Sequence, residues 1–418
     1  MSIGWGAALM WGARTVLAGM ELALAPPVLY LALLSVAALF GARGRPARAG
    51  GMLSTPLPRF AVLVPAHDEA DVIGGLLTSI AGLDYPVERR DVLIIADNCA
   101  DGTAAIVRAA GLPGVEVRER HDERLRGKGH ALRWRIEELE RRGQVYDAYV
   151  VVDADSSLSP NFLTEMAAGL AAGAQVLQGR YRVENDAEAW VAGLRAIAFT
   201  LFNHLRPLGR LALGWSAGLK GNGMCFSRAV MERFGWGTYS LAEDVEYHLN
   251  LVGAGLRVVY APAAAVSSAM PTDLRQARSQ QERWERGRLV LARTAARGAA
   301  GALRRGDLAQ LDAIAEVCLP PLSMLIGALV ATGVLALALR WEPGLIGAGA
   351  LAAGLAVHGV VGLVLADLSP RAYWSLTYAP WYIVWKIAIY GWSLPRRGDA
   401  PWVRTPRART LPTASDSQ

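Results

Sequence analysis

The chain has 418 residues, 53% of them hydrophobic, and a mean hydropathy of +0.24, which is more apolar material than one water-soluble core uses. Its net charge of +6 falls largely on arginines that flank apolar runs or sit in the tail, which favours anionic lipid headgroups over nucleic acid as the counterion. Three scattered cysteines, Cys99, Cys225 and Cys318, have neither disulfide nor metal-site spacing and fit a reducing compartment.

Residues 1–21 read as an amphipathic lead-in, and 22–41 as a membrane span that carries no charge after Glu21. Crossing a hydrocarbon core about 30 Å thick takes roughly 20 apolar helical residues. The run is too long for a removable leader and has no basic segment before it. Arg43, Arg45 and Arg48 follow, so the positive-inside rule puts this end, the linker 42–58 and the middle of the chain in the cytosol.

From Phe60 to about Pro262 short β-rich runs alternate with helical stretches, the pattern of a mostly parallel sheet flanked by helices. This defines a catalytic domain at 59–271. The clearest strands are 60–64, 92–96 and 149–152, with helices at 70–82, 101–110, 129–142 and 160–172. Each strand ends in polar residues: His67-Asp68-Glu69, Asp97-Asn98, and Asp153 to Ser156. Ligands of open α/β sheets bind beyond the carboxyl ends of the strands, so the three groups are expected to meet in one cleft.

Residues 272–312 are expected to lie at the membrane interface, beginning with a basic amphipathic helix at 272–297. Two spans, 313–340 and 343–367, form a hairpin that leaves the cytosol and returns. A further apolar stretch, 371–394, carries Lys386 near its middle, where a lysine at the bilayer centre costs about 2.5–3.5 kcal/mol. An interfacial or re-entrant helix is therefore favoured there over a full transmembrane one, ahead of a basic cytosolic tail at 395–418.

Asp153 and Asp155, two residues apart at the end of a very apolar strand, suit a hard divalent cation that meets phosphate oxygens. Asp155 is the expected metal ligand and Asp153 its ribose-side companion; the plain alternative is a turn that caps the next helix. Asp97 can accept from a uracil N3–H, with the backbone of Pro65 and Ala66 and the Glu69 side chain edging base and ribose. Lys128, in Gly127-Lys128-Gly129, stands before a helix within reach of the nucleotide, without the remaining residues of a P-loop. Asp244 is the candidate general base, and Glu243 beside it reads more simply as a first-turn carboxylate favoured by the helix dipole. Arg283 can reach a diphosphate, Trp284 can floor an acceptor sugar, and Gln280 can hydrogen-bond nearby.

The order Pro65-Ala-His-Asp-Glu69, Asp97, Gly127-Lys-Gly129, Asp153-Ala-Asp155, Ala242-Glu-Asp244 and Gln280-x-x-Arg283-Trp284 resembles the membrane-bound family 2 glycosyltransferases. That group includes the cellulose, chitin, hyaluronan and poly-N-acetylglucosamine synthases. The resemblance covers roughly 60–288. It implies an α/β, Rossmann-like GT-A domain with N- and C-terminal transmembrane helices, a UDP-sugar donor, Mg²⁺ or Mn²⁺, and inversion at the anomeric carbon.

By motif position it assigns uracil to Asp97, the metal to Asp155, the acceptor hydroxyl to Asp244, and the diphosphate and acceptor end to Gln280, Arg283 and Trp284. Gly221 and Asn222 fall where relatives line the acceptor site. Ala242 departs from the usual Thr or Ser and removes a helix cap worth about 1 kcal/mol. Asn98-Cys99-Ala100 replaces a frequent Asp-Gly-Ser.

The small membrane part points to a lipid or short glycan acceptor as much as to a long polymer, a layout similar to that of ceramide glucosyltransferases. It leaves room for accessory glycan-export subunits. The alternative reading, a catalytically weak scaffold or export subunit of a glycan-synthesis complex, is opposed by carboxylates at every catalytic position.

Overall fold

Near-continuous apolar runs make the centre of the molecule, because a parallel strand is buried on both faces. The computed structural model describes residues 3–43 and 56–393. Most of the linker 42–58 and the whole tail 395–418 lie outside the described residues. Eight strands form one sheet: β1 (Phe60–Ala66), β2 (Arg90–Asp97), β3 (Val115–Arg120), β4 (Ala148–Val151), β5 (Ser156–Leu158), β6 (Val176–Val183), β7 (Met224–Ser227) and β8 (Val258–Ser268). Their order is β3-β2-β1-β4-β7-β6-β8-β5.

Parallel pairing joins β1 to β2 and β4, and β2 to β3. The β7 strand runs antiparallel to both β4 and β6 and so ends the parallel half. The carboxyl ends of β1, β2 and β4 therefore open on one edge, with Pro65 and Ala66 in register with Ile95 and Ala96. Two apolar layers cover the sheet, one including Leu132, Ile136, Phe226 and Trp236, the other Ile73, Leu76, Phe162 and Met166.

The membrane elements differ from the expected plan in three places. No break separates a lead-in from a span: one helix runs Ile3–Arg43, with an apolar stretch over Ala8–Phe40. Glu21, the charge that suggested a boundary, packs instead against the helix Glu342–Leu365, where a Cβ on Gly347 would meet its Oε2 at 2.5 Å. The expected span 313–340 is two helices, Leu308–Cys318 and Leu322–Ala338, bent by 74°. Pro320 and Pro321 cause the bend, since each removes an N–H and drives the residue before it into extended backbone.

The stretch 371–394 is also divided, into helices Pro370–Trp374 and Ala379–Ser393 around a 3₁₀ segment, Ser375–Tyr378. Lys386 is half-buried there, close to Glu285, Arg195 and Arg288. Among the described residues, two helices, or three with the bent pair, are long and apolar enough to cross a membrane.

The N-terminal helix is anchored to the catalytic domain through a run of helix that follows β6. That run comprises Trp190–Thr200, a π-helical turn Leu201–Leu205, and Arg206–Ala212. Tyr30 of the N-terminal helix donates to Asp312 at 2.6 Å, and Arg210 donates to Asp312 and Glu316 at 3.1 and 2.9 Å. Gly209 is what allows the approach: a Cβ there would lie 2.2 Å from the Leu34 carbonyl oxygen. Gly209→Val is accordingly expected to cost about 1–3 kcal/mol of stability, as overpacking against backbone does. A lowered melting temperature in detergent checks it.

Candidate active site

The end of β4 carries Asp153 and Asp155, and the elements around it supply the rest of one polar pocket. Lys128, first residue of the helix Lys128–Arg141, places its Nζ 2.6 Å from Asp153 Oδ1 and 3.9 Å from Glu243 Oε1. The same ammonium donates to the Gly221 carbonyl. Asn222 accepts from the Asp153 N–H at 3.1 Å and donates to Ser156 Oγ at 2.8 Å. Glu243 and Asp244 begin the helix Glu243–Gly253, whose first turn has no side-chain cap, as Ala242 predicts. A Cβ on Gly221 would stand 3.5 Å from Asp244 Oδ2. The structure thus gathers Lys128, Asp153, Asp155, Gly221, Asn222, Glu243 and Asp244.

Burial and crowding of like charges set the electrostatics. Burial pushes the Glu243 carboxyl up to about 7, with Asp244 and Asp153 adding to the rise and Lys128 opposing it. The Asp244 carboxyl is raised by burial too, against the pull of Lys128, its own and the Val245 N–H groups, and Lys220. Burial alone would depress the Lys128 ammonium; the Asp153 and Glu243 carboxylates outweigh it and hold the group above its ordinary value. Lys220 is brought down to about 8 by burial, although Glu316 lies 3.6 Å away.

The nucleotide-side residues lie at the neighbouring strand ends. Asp97 closes β2, two strands away from β4 across β1. Its Oδ1 accepts from Arg120 Nη1 at 2.5 Å, and both side chains are buried. Arg120 is in register with Asp97 at the end of β3. The uracil contact expected of Asp97 is therefore shared with a structural ion pair that the motif did not reveal.

Glu69 follows β1, its N–H donating to Thr103 Oγ1 at 2.9 Å. Asp68, Cys99 and Asp101 bring three ligand atoms within 4.8 Å of one another. The Asp68 and Asp101 carboxylates, however, accept from the Ala100, Ala70 and Thr103 N–H groups, so this cluster clamps two loops.

Gln280, Arg283 and Trp284 lie on the helix Leu274–Arg305, which meets the Glu243 helix where a Cβ on Gly287 would touch Ala242 Cβ at 3.1 Å. Gln280 accepts from Arg195, and the Trp284 ring lies 5.6 Å from the same guanidinium. Between this trio and the β4 end stands Tyr181, 2.8 Å from Ser268 Oγ and edge-on to Phe199 at 4.8 Å. The Asp155 and Asp153 charges both act on it. Phe199 in turn stacks on Trp284 at 6.5 Å.

Arg195, Tyr181 and Arg120, which contact or face the predicted site residues Gln280, Trp284, Asp155 and Asp97, were missed by motif reading. A lone arginine inside the apolar run Trp190–Thr200 was the available signal for the first.

The profile of the family described as "Glycosyltransferase like family 2" matches residues 58–287, more than half of the chain. The chain belongs to that family.

Among curated proteins the chain is similar to "Probable glycosyltransferase YdaM" of Bacillus subtilis, at 29% identity over 55% of both chains. It is also similar to the beta-monoglucosyldiacylglycerol synthase of Synechocystis, at 27% identity over 49% of this chain and 43% of that one. The chain thus spans about half the length of the curated relatives it matches. A mannosyltransferase from Pyrobaculum calidifontis, PcManGT, solved with GDP-Man and Mn²⁺, covers 90% of this chain and 99% of its own at 21% identity and a TM-score of 0.53. The shared architecture is the GT-A fold.

The donor set at the β4 end fits a divalent cation. Asp153 and Asp155 offer hard carboxylate oxygens, and Lys128 is the cation at hydrogen-bond distance from Asp153 in a pocket that also holds Glu243 and Asp244.

Proposed function

We propose that the protein is a membrane-anchored, inverting glycosyltransferase. It moves a hexosyl or N-acetylhexosaminyl group from a UDP-sugar to a lipid or glycan acceptor at the cytosolic face of the cell membrane. The observation that carries this reading is the junction at Lys128, where one ammonium ties the β4 carboxylate Asp153 to the Gly221 loop and to the Glu243-Asp244 pair. Donor-side and acceptor-side groups thereby share one pocket, and the helix bearing Arg283 and Trp284 connects that pocket to the apolar helices.

In this reading Asp155, with Asp153, holds Mg²⁺ or Mn²⁺, whose charge offsets that of the diphosphate leaving group. Pro65, Ala66, Glu69 and Asp97 orient the nucleoside at the ends of β1 and β2. Asp244 takes the proton of the acceptor hydroxyl as its oxygen bonds to the anomeric carbon from the face opposite the diphosphate, so configuration inverts. Lys128 opposes the rise of the neighbouring carboxyls and so favours their ionised form, while Gln280 and Trp284, braced by Arg195, border the acceptor.

The test is nucleoside diphosphate release by the detergent-purified full chain with Mn²⁺ and UDP-glucose, UDP-N-acetylglucosamine or GDP-mannose. UDP released from one of the uridine donors is the expected result. Consumption of none would overturn the enzyme reading, and a preference for GDP-mannose would overturn the uridine part alone. Lys128→Met is expected to move the acid limb of the pH–rate profile upward by about one unit, because the lost ammonium no longer favours the ionised carboxylates. Rates measured across pH check it.

A further inference from the structure

Arg195 is 5% exposed, yet its Nε and Nη1 have no hydrogen-bond partner. Its Nη2 donates to the Gln280 amide oxygen and reaches the Met270 sulfur at 3.6 Å. The other groups facing it, Trp284, Tyr181 and Tyr382, are neutral as well. A buried cation without a compensating anion is costly and marks a place where an anion is to be expected.

The last helix supplies the other wall. Tyr378, Tyr382, Lys386 and Tyr390 recur every four residues and so form one stripe along the helical stretch. Tyr378 stacks on Trp190 at 5.1 Å, Tyr382 meets Arg195, and Tyr390 donates to Glu285 at 2.6 Å. Lys386 faces Glu285, Arg195 and Arg288. Lys386 and Arg288 thus share the Glu285 carboxylate, and Arg195 adds a third positive charge to the seam.

Beside the seam an open groove is lined by Pro370, Tyr373, Trp374 and Thr377. Trp374 and Trp381 are 76% and 64% exposed, as aromatic side chains at a membrane–water boundary are. A buried guanidinium and a half-buried lysine next to an exposed aromatic groove match an amphiphile with an anionic head.

We propose that the seam between the helices Trp190–Thr200, Leu274–Arg305 and Ala379–Ser393 binds a phosphate group carried on a lipid, with Arg195 and Lys386 as its ligands. The proposal rests on the membrane glycosyltransferase reading and deepens it: the lipid held beside Trp284 bears a phosphate. Arg195 is the stronger ligand because its fork of N–H groups suits phosphate oxygens.

The experiment compares melting temperatures of the full chain in neutral detergent micelles containing phosphatidic acid, phosphatidylcholine or neither, each with and without UDP. Phosphatidic acid should raise the melting temperature and phosphatidylcholine should not. Arg195→Met and Lys386→Met should each bind phosphatidic acid about ten- to hundredfold more weakly, the loss expected for one hydrogen bond to a charged group. Arg195→Lys should keep most of the shift, and Arg304→Met, an exposed arginine at the far end of the same interface helix, should keep all of it.

An unchanged phosphatidic acid shift in Arg195→Met overturns the proposal. So does loss of the UDP shift alone in that variant, which would assign the guanidinium to the donor diphosphate. Should Arg195→Met not fold, Lys386→Met and Arg195→Lys decide the matter on the same readout. Failure of UDP to stabilise any form would strike the donor reading while leaving the lipid result to stand by itself.

Discussion

Asp244→Asn is expected to reduce sugar transfer by about 10² to 10⁴, the usual contribution of a positioned general base, while UDP still binds. The amide keeps the shape of the side chain and removes its ability to take a proton. UDP release with a saturating donor measures the effect, and a variant as fast as the parent would remove Asp244 from the base role. Glu243→Gln should cost less, because Glu243 lies 3.9 Å from the Lys128 ammonium whereas Asp244 is the carboxylate that stands against the Gly221 loop.

The pH dependence follows from the same pair. A raised carboxyl must lose its proton before Asp244 can act, so transfer should climb as pH rises from the ordinary carboxylate range, burial having lifted the Asp244 carboxyl above it. Stability runs the other way. Carboxyls held above their unfolded values of about 4 contribute stability that is fully present below those values and lost as pH rises through the folded ones. The pocket therefore stabilises the chain least where it is most active, as expected for a site that crowds charge for chemistry.

The parallel half of the sheet was legible because β1, β2 and β4 are apolar on both faces and end in polar residues. The remaining strands gave weaker signals for physical reasons. The β3 strand, Val-Glu-Val-Arg-Glu-Arg, is a charged edge strand, and β5 and β7 have only three and four residues.

Within the pocket, Asp153, Asp155, Glu243 and Asp244 could be singled out because carboxylates at strand and helix ends have recognisable chemistry. Lys128 was also visible, but as a nucleotide contact; its bond to Asp153 joins residues 25 apart in sequence. Arg195 and Tyr181 depend wholly on long-range packing against Gln280, Trp284 and the β4 carboxylates, which no local pattern encodes.

Two helix boundaries differ from the expected plan for a related reason, while the segment 343–367 coincides with the helix Glu342–Leu365. Hydropathy treats Glu21 as a stop and averages over Pro320-Pro321, whereas the helix packs Glu21 against Gly347 and the prolines turn the chain. The sequence also raised the cost of Lys386 without showing that a carboxylate waits for it on another helix.

Asp97→Ala should destabilise the protein by about 1.5–3 kcal/mol, because the buried Arg120 guanidinium loses its shorter, buried carboxylate contact and keeps only Asp122, at 3.2 Å, and the Leu125 carbonyl. The loss is predicted even with no nucleotide present, and a lower melting temperature of the ligand-free chain measures it. A variant as stable as the parent would show that the pair contributes nothing to folding. Replacing both partners, Asp97→Leu with Arg120→Met, removes the two charges together and should recover most of the stability. It should not recover UDP binding, since no oxygen then remains at position 97 to accept the uracil N3–H. Parent-like UDP affinity in the double variant would confine Asp97 to its structural role and transfer base recognition to the Pro65–Glu69 edge. The two readouts separate what the motif reading merged, a carboxylate that holds β2 to β3 and one that reads a nucleotide.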